Sequence, residues 1–302
     1  MKPSLFKNPY FLLVLTALFW ASNMVLGRAL GHDIPPFTMA LCRWLVAALF
    51  IIPQSLGDLK QYREQLVSHW KILFTLGILG IGGYNTFAYL GLQTTTATNG
   101  ALLNSFIPIA TILLSWLLLK KNLSIGEYLG IVISFIGVIT IVIKGNLTGI
   151  TQIQVNIGDF WVIVAVIDWA LYTVLLHYRP KTITPQLLLS AMVIIGIVTL
   201  IAPVYWEINH LNHPLHFSPN TIIGLIYMGI FPGYLSYVFY NRGVAEIGPG
   251  KASLFIHLMP VFGTLLAFVF LHESVHLYHA LGIILIMAGI VLTMWVKKKA
   301  TT

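Results

Sequence analysis

An all-α membrane protein, with ten transmembrane helices as two inverted five-helix repeats, is the fold class this sequence predicts. Three observations predict it. Of 302 residues, 58% are hydrophobic and 9% charged, with a mean hydropathy of +0.87, where an ordinary soluble domain carries about 25% charged residues. Apolar stretches long enough to cross a hydrocarbon layer of about 30 Å recur ten times. Glycines, prolines and a Trp-Ala pair also recur between the two halves at fixed offsets. This composition excludes a soluble globular enzyme, a disordered chain and a nucleic-acid-binding domain. Cys42 is the lone cysteine, so no intramolecular disulfide and no cysteine zinc site is expected.

In the first half the stretches run over 10–30, 34–56, 71–93, 98–119 and 124–144. The first follows Lys2 and Lys7 but is about 21 residues long and lacks a small-residue cleavage site, so it reads as a retained span. It places Thr16, Trp20, Asn23 and Gly27 at helical spacing. The second carries Arg43, and the third Tyr84 and Asn85. The fourth carries Asn104, Pro108, Thr111 and Ser115. The fifth is nearly all apolar, with Gly130 and Gly137 on one face. The second half runs over 158–178, 185–206, 219–241, 248–271 and 276–297. Its sixth span holds Trp161, Asp168, Trp169 and Tyr172, and the seventh opens at Pro185. The eighth holds Tyr234, Tyr237 and Asn241, the ninth Ser253, His257, Pro260 and Thr264, and the tenth Gly282 and Gly289. Small residues let helices approach closely, so spans 5 and 10 are expected at the periphery with a glycine seam. The same seam suits a monomer or a homodimer.

Lysine and arginine set the orientation. With the N-terminus, the even-to-odd loops and the C-terminus on one side, that side collects fourteen basic residues. Lys60, Lys120, Lys121, Lys251 and the Lys297–Lys299 run are among them. The other side has Arg28 and Lys144. The positive-inside rule puts both termini in the cytoplasm of a multi-pass protein of the cytoplasmic (inner) membrane. An offset of 152 matches Gly77 to Gly229, Gly91 to Gly243, Pro108 to Pro260, Gly130 to Gly282 and Gly137 to Gly289. An offset of 149 matches Trp20-Ala21 to Trp169-Ala170 and Pro36 to Pro185. The expected units are 1–147 and 158–302. Each has an odd number of spans, so the second enters the membrane inverted, as in many secondary transporters.

A charge at mid-membrane costs about 2.5–3.5 kcal/mol on insertion scales. Arg43 and Asp168 sit near the middle of spans 2 and 6. Either they pair with each other, or they face an aqueous cavity where Arg43 attracts a carboxylate and Asp168 an amine or a proton. His257 is a neutral buried histidine or a proton relay. The candidate solute-binding set is Trp20, Asn23, Arg43, Tyr84, Asn85, Asp168, Trp169, Tyr172, Tyr237 and His257. Its aromatics suit an apolar or aromatic organic solute. Pro108 and Pro260, mid-span in the fourth and ninth stretches, are expected to kink them and act as hinges. His210, His213 and His216, and the group His272, Glu273, His276 and His279, read as solvated histidines, so no metal and no other cofactor is expected. Asp168 reads as the lone intramembrane acid, which excludes an aspartate dyad. No phosphate-binding loop for ATP is present. The expected partners are a small-molecule substrate and membrane lipid.

These features together resemble the drug/metabolite transporter superfamily, in its EamA branch, along the whole chain. Phe19-Trp20-Ala21-Ser22-Asn23 is similar to the family's W-small-x-N/F opening, and Pro36-Phe37 with Arg43 to its P-F…R. Ala252-Ser253, Pro260, Glu273, Gly282 and Gly289 look like its A-S…P…E…G…G pattern. Lys120-Lys121-Asn122 departs from the family's usual acid at the end of span 4. The resemblance implies a secondary, non-ATP transporter, with a cavity between spans 1–4 and 6–9, that exports an amino acid or related amphipathic solute by alternating access. The alternatives are a membrane-embedded lipid- or prenyl-modifying enzyme and a non-transporting membrane scaffold.

Overall fold

Prolines and short polar side chains open most of the helices in the computed structural model, which describes residues 8–95, 100, 103–143, 145, 156–210, 215–271 and 276–295. The expectations resting on Lys2, Lys7, Lys144, His213, His272, Glu273 and Lys297–Lys299 lie outside the described residues. Helix α1 (Pro9–Leu30) starts on Asn8, whose side chain accepts from the Tyr10 N–H. Helix α2 (Pro36–Gln61) starts on proline, whose missing N–H costs nothing in a first turn. A short α3 (Arg63–Ser68) leads to α4 (Trp70–Gly77) and α5 (Tyr84–Thr94), then α6 (Ile107–Leu119). Helix α7 (Ile125–Val142) opens with a Ser124/Glu127 capping box, and α8 (Ile157–Leu175) with Asn156/Asp159. The second half continues with α9 (Pro185–His210), α10 (Pro219–Met228), α11 (Ser236–Ile247), α12 (Pro249–Leu254), α13 (Leu258–Leu271) and α14 (Leu277–Trp295). Among the described residues there is no strand.

Eight helical segments are long and apolar enough to cross a membrane. The stretches expected at 98–119 and 248–271 differ from the rest. The first ends in the 13-residue α6, and the second is divided into α12, a 3₁₀ turn over Phe255–His257, and α13. Proline is the cause. Pro108 and Pro260 lie in the first turns of α6 and α13, and the helical register is lost just ahead of each. The expected mid-helix kinks are therefore breaks: the ring's clash with the preceding turn is relieved by ending the helix.

The third and eighth stretches are interrupted too. A π-helical segment over Ile78–Gly83 separates α4 from α5, and another over Gly229–Leu235 separates α10 from α11. Their last residues, Gly83 and Leu235, are 152 apart, one in each half. Such segments are wide turns that leave the i→i−4 ladder and often mark functional positions.

Contacts between the halves recur with the halves exchanged. Gly77 lies against the Met192 carbonyl, and Gly229 against the Arg43 carbonyl. Gly91 packs on Val162, and Gly243 on Leu13. Asn85 donates to the Tyr237 hydroxyl at 3.3 Å, and those two residues are themselves 152 apart. The buried carboxylate of Glu207, near the end of α9, accepts the Phe37 and Thr38 N–H groups and the Thr38 hydroxyl at 2.7–2.9 Å, capping α2. Asp58, which the 149 offset pairs with Glu207, accepts the Thr184 hydroxyl at 2.6 Å beside the start of α9.

Helices α7 and α14 form the glycine seam. A Cβ on Gly130 would lie 2.6 Å from the Gly289 carbonyl, and one on Gly137 would lie 2.7 Å from the Gly282 carbonyl. Backbone meets backbone there, which only glycine allows. The spanning window in α14 buries 28% of its residues, against 61% in the α4–α5 segment, so α14 stands at the periphery.

Candidate solute-binding site

Seven aromatic rings from both halves fill the centre of the bundle. Trp169 is the hub: Trp20, Tyr84 and Tyr172 each stand 4.9 Å from it between centroids, Tyr240 at 5.3 Å and Tyr237 at 5.5 Å. Trp44 meets Tyr237 edge to face at 4.9 Å. Tilted and edge contacts of this kind are worth about 0.5–1.5 kcal/mol each beyond burial. All but Trp20 are buried. Five of the predicted residues, Trp20, Tyr84, Trp169, Tyr172 and Tyr237, thus lie in one cluster, while Trp44 and Tyr240 join it without having been singled out. The Trp20 indole N–H donates to the Pro232 carbonyl in the π segment at 3.3 Å, and the Tyr237 hydroxyl donates to the Gly80 carbonyl in the other.

Two Tyr–Asn hydrogen bonds flank the cluster. Tyr89 donates to Asn23 Oδ1 at 3.1 Å, and Tyr172 donates to Asn241 Oδ1 at 2.7 Å. By the same offsets Tyr89 matches Asn241 and Asn23 matches Tyr172, so the halves make one bond with the two residue types swapped. Sequence reading missed Tyr89 and Glu207. The offset that pairs each with a polar residue in the other half is the signal that could have found them. Among the described residues Asp159 and Glu207 are buried acids beside Asp168.

Arg43 and Asp168 are both buried and do not pair with each other, while Arg242 and Glu246 form an ion pair at the surface. Arg43 Nη1 donates to the Tyr89 hydroxyl at 3.2 Å, and its guanidinium carbon lies 4.7 Å from the Trp44 ring centroid. Asp168 lies against Gly83, where a Cβ would come 2.8 Å from the carboxyl carbon, at the end of the π segment. Arg43 Nε and Asp168 Oδ2 have no partner, and neither do the hydroxyls of Thr111 and Ser115 on α6. A buried polar atom left so costs about 1–3 kcal/mol, more when charged.

His257 stands apart from the cluster. Its Nδ1 is 2.7 Å from Ser134 Oγ and its Nε2 is 2.9 Å from the Ser105 carbonyl. The imidazole thereby joins α7 to the two helix breaks. Ser105 and His257 are 152 apart, a second matched pair in direct contact.

Two cavities open beside the end of α1. One, of about 300 Å³, is lined by Met24, Arg28, Asn104, Ser105, Met259 and Pro260 among others, and its walls are mainly apolar. The second, of about 370 Å³, is lined by Arg28, His32, Met39, Tyr89, Gln93 and Thr95 among others. Arg28 and Leu92 belong to both. Of the predicted residues Pro260 lines the first directly. Tyr84 reaches it through Asn104, to which its hydroxyl donates at 3.3 Å, and Arg43 reaches the second through Tyr89. A third cavity, of about 380 Å³, lies at the opposite end, between the end of α6 and the turn from α11 to α12. Among the described residues no group of three or more metal-ligating side chains comes together.

Comparison with known proteins leads to a family of transporters. The model of the EamA-like transporter family matches residues 7–143 and again 156–295. The uncharacterized transporter YyaM of Bacillus subtilis is 30% identical, the alignment covering 94% of this chain and 92% of that one. An uncharacterized transporter of Archaeoglobus fulgidus is 28% identical, covering 95% and 97%. A WAT1-related protein of Arabidopsis thaliana is 23% identical, covering 97% and 83%. A crystal structure with 17% identity superposes with a TM-score of 0.71, covering 93% of this chain and 94% of that one, a likeness of fold. The chain belongs to the EamA-like transporter family, as a multi-pass membrane protein.

Proposed function

We propose that the chain is a secondary transporter that moves a small organic metabolite, an amino acid or a related amphipathic solute, out of the cell by alternating access. The units are 1–147 and 158–302, inverted with respect to each other, with both termini cytoplasmic. One observation carries the reading: contacts recur between the halves with the partners exchanged, and the matched pairs Asn85–Tyr237 and Ser105–His257 touch each other. Residues equivalent under a two-fold meet only on its axis. Five spans per half make that axis lie in the membrane plane, and an axis there lets the halves trade an outward-open shape for an inward-open one. The cavities beside Arg28 and the closed aromatic centre fit a state open toward the outside. Arg43 would orient the solute's anionic group, Asp168 would take its amine, and the aromatics would hold its apolar body. The double family match and the fourteen-to-two distribution of basic residues support the topology.

The test is ligand-dependent stabilisation followed by flux. A solute bound at a hundred times its Kd stabilises by about 2.7 kcal/mol, so a thermal-shift panel of amino acids and related metabolites on purified protein picks out the binder. Proteoliposomes should then exchange it saturably without ATP. Arg43→Ala, inserted normally, should need roughly ten times more solute for half-saturation, the loss of about 1.4 kcal/mol. A panel without a stabilising solute, or unchanged flux in Arg43→Ala, refutes this reading of the site.

A further inference from the structure

We infer that the solute's route runs along the Thr111–Ser115 face of α6, and that cationic mouths at both ends select an organic anion with an apolar body. The inference rests on the transporter reading and adds the path and the charge class to it. Hydroxyls within a helix normally turn back to a carbonyl three or four residues earlier. Here Thr16, Thr86, Thr140, Thr264 and Thr293 all do so. Thr111 and Ser115 do not. Both are more than nine-tenths buried, and neither hydroxyl has a partner. Four residues apart, they point from the same side of α6.

That side lies between two cavities. The one at the end of α1 reaches Asn104 and Ser105, just before α6 begins. The one at the opposite end includes Ile112 and Ser115 themselves. Thr111 stands in the closed stretch between them, where α6 packs on α8 and α12. The hydroxyls mark the polar track that a solute would use once α12 moves away.

Each mouth carries basic side chains. Arg28 lines both cavities at the α1 end. Lys121 and Lys251, one from each half, line the other mouth, where Lys121 Nζ lies 4.0 Å from the Cβ position of Gly248. The acid there, Glu127, is engaged in the capping box with Ser124. Along α6 and its approach, Asn104, Ser105, Thr111 and Ser115 carry polar groups between the mouths. Cations at both mouths favour a solute that presents a carboxylate or similar anion over one that presents an amine alone.

The test uses Thr111→Cys and Ser115→Cys in a Cys42→Ser background, reconstituted in proteoliposomes. Two thiol reagents of similar size are applied from either face: sulfonatoethyl and trimethylammonioethyl methanethiosulfonate. Rates are normalised to those with free mercaptoethanol. The expected result is modification of Thr111→Cys from both faces, with the sulfonate favoured about tenfold. Adding Lys121→Gln and Lys251→Gln should reduce that preference at the Ser115 mouth, and Arg28→Gln at the other. No reaction at Thr111→Cys from either face overturns the route. Equal normalised rates for the two reagents overturn the anion class and leave alternating access standing. Reaction from one face alone overturns alternating access, while the charge ratio still judges that mouth.

Discussion

Replacing Glu207 by glutamine should destabilise the protein by about 2 kcal/mol, and the figure follows from the three hydrogen bonds at the start of α2. The carboxylate accepts from two backbone N–H groups and from the Thr38 hydroxyl. A glutamine oxygen keeps the Phe37 N–H, and the Thr38 hydroxyl can rotate to accept from the new amide. The Thr38 N–H then faces an NH₂ group and is left unsatisfied, which costs about 1–3 kcal/mol. Losing the negative charge at a helix N-terminus removes a further 0.3–2 kcal/mol or so. Relief from burying a charge offsets part of that sum. The assay is thermal unfolding of purified protein in detergent, where this loss lowers Tm by about 3 °C. Glu64→Gln, in the short α3 outside the core, serves as the control. A Glu207→Gln protein within 1 °C of the parent would refute the idea that this carboxylate ties the halves together.

Gly83→Ala should cost about 1–3 kcal/mol, because its methyl group would enter the space of the Asp168 carboxyl. Combining it with Asp168→Ala should recover part of the loss in a double-mutant cycle by thermal unfolding, and strict additivity would count against direct contact. Tyr237→Phe removes a hydroxyl that serves Asn85 and the Gly80 carbonyl, so unfolding should come about 1–2 kcal/mol earlier. Pro260→Ala should permit helix across the Phe255–His257 break. Its expected signature is slower turnover in proteoliposomes with stability kept or raised; turnover equal to the parent would mean that the break is no hinge.

Most of the fold was legible because membrane spans announce themselves by length and apolarity, as at 185–206 and 276–297. The glycine seam was legible too, since Gly130, Gly137, Gly282 and Gly289 serve no other purpose in such apolar helices. The breaks were half legible: proline signalled Pro108 and Pro260 but could not say whether the chain would bend or stop. The π segments were hidden, although Gly80, Gly82, Gly83, Pro232 and Gly233 crowd into them, because a run of small residues fits a regular helix equally well. Within the site, residue type pointed to the aromatics and to Arg43 and Asp168. What Arg43 touches was not readable. Its neighbours Tyr89 and Trp44 come from a close crossing and an adjacent ring, and sequence carries no distances.

The seam between α7 and α14 also limits how this chain can evolve. In most cores an oversized substitution is excused by trimming whatever it strikes. Along this line an added methyl strikes side chains that could be trimmed, such as Thr293 and Ile141, but also the partner glycine's carbonyl, which cannot be. A bulky revertant at Gly130 or Gly289 therefore has no local suppressor. Genetic rescue would have to come from elsewhere in the chain, and the four positions should tolerate the fewest residue types in a saturation library.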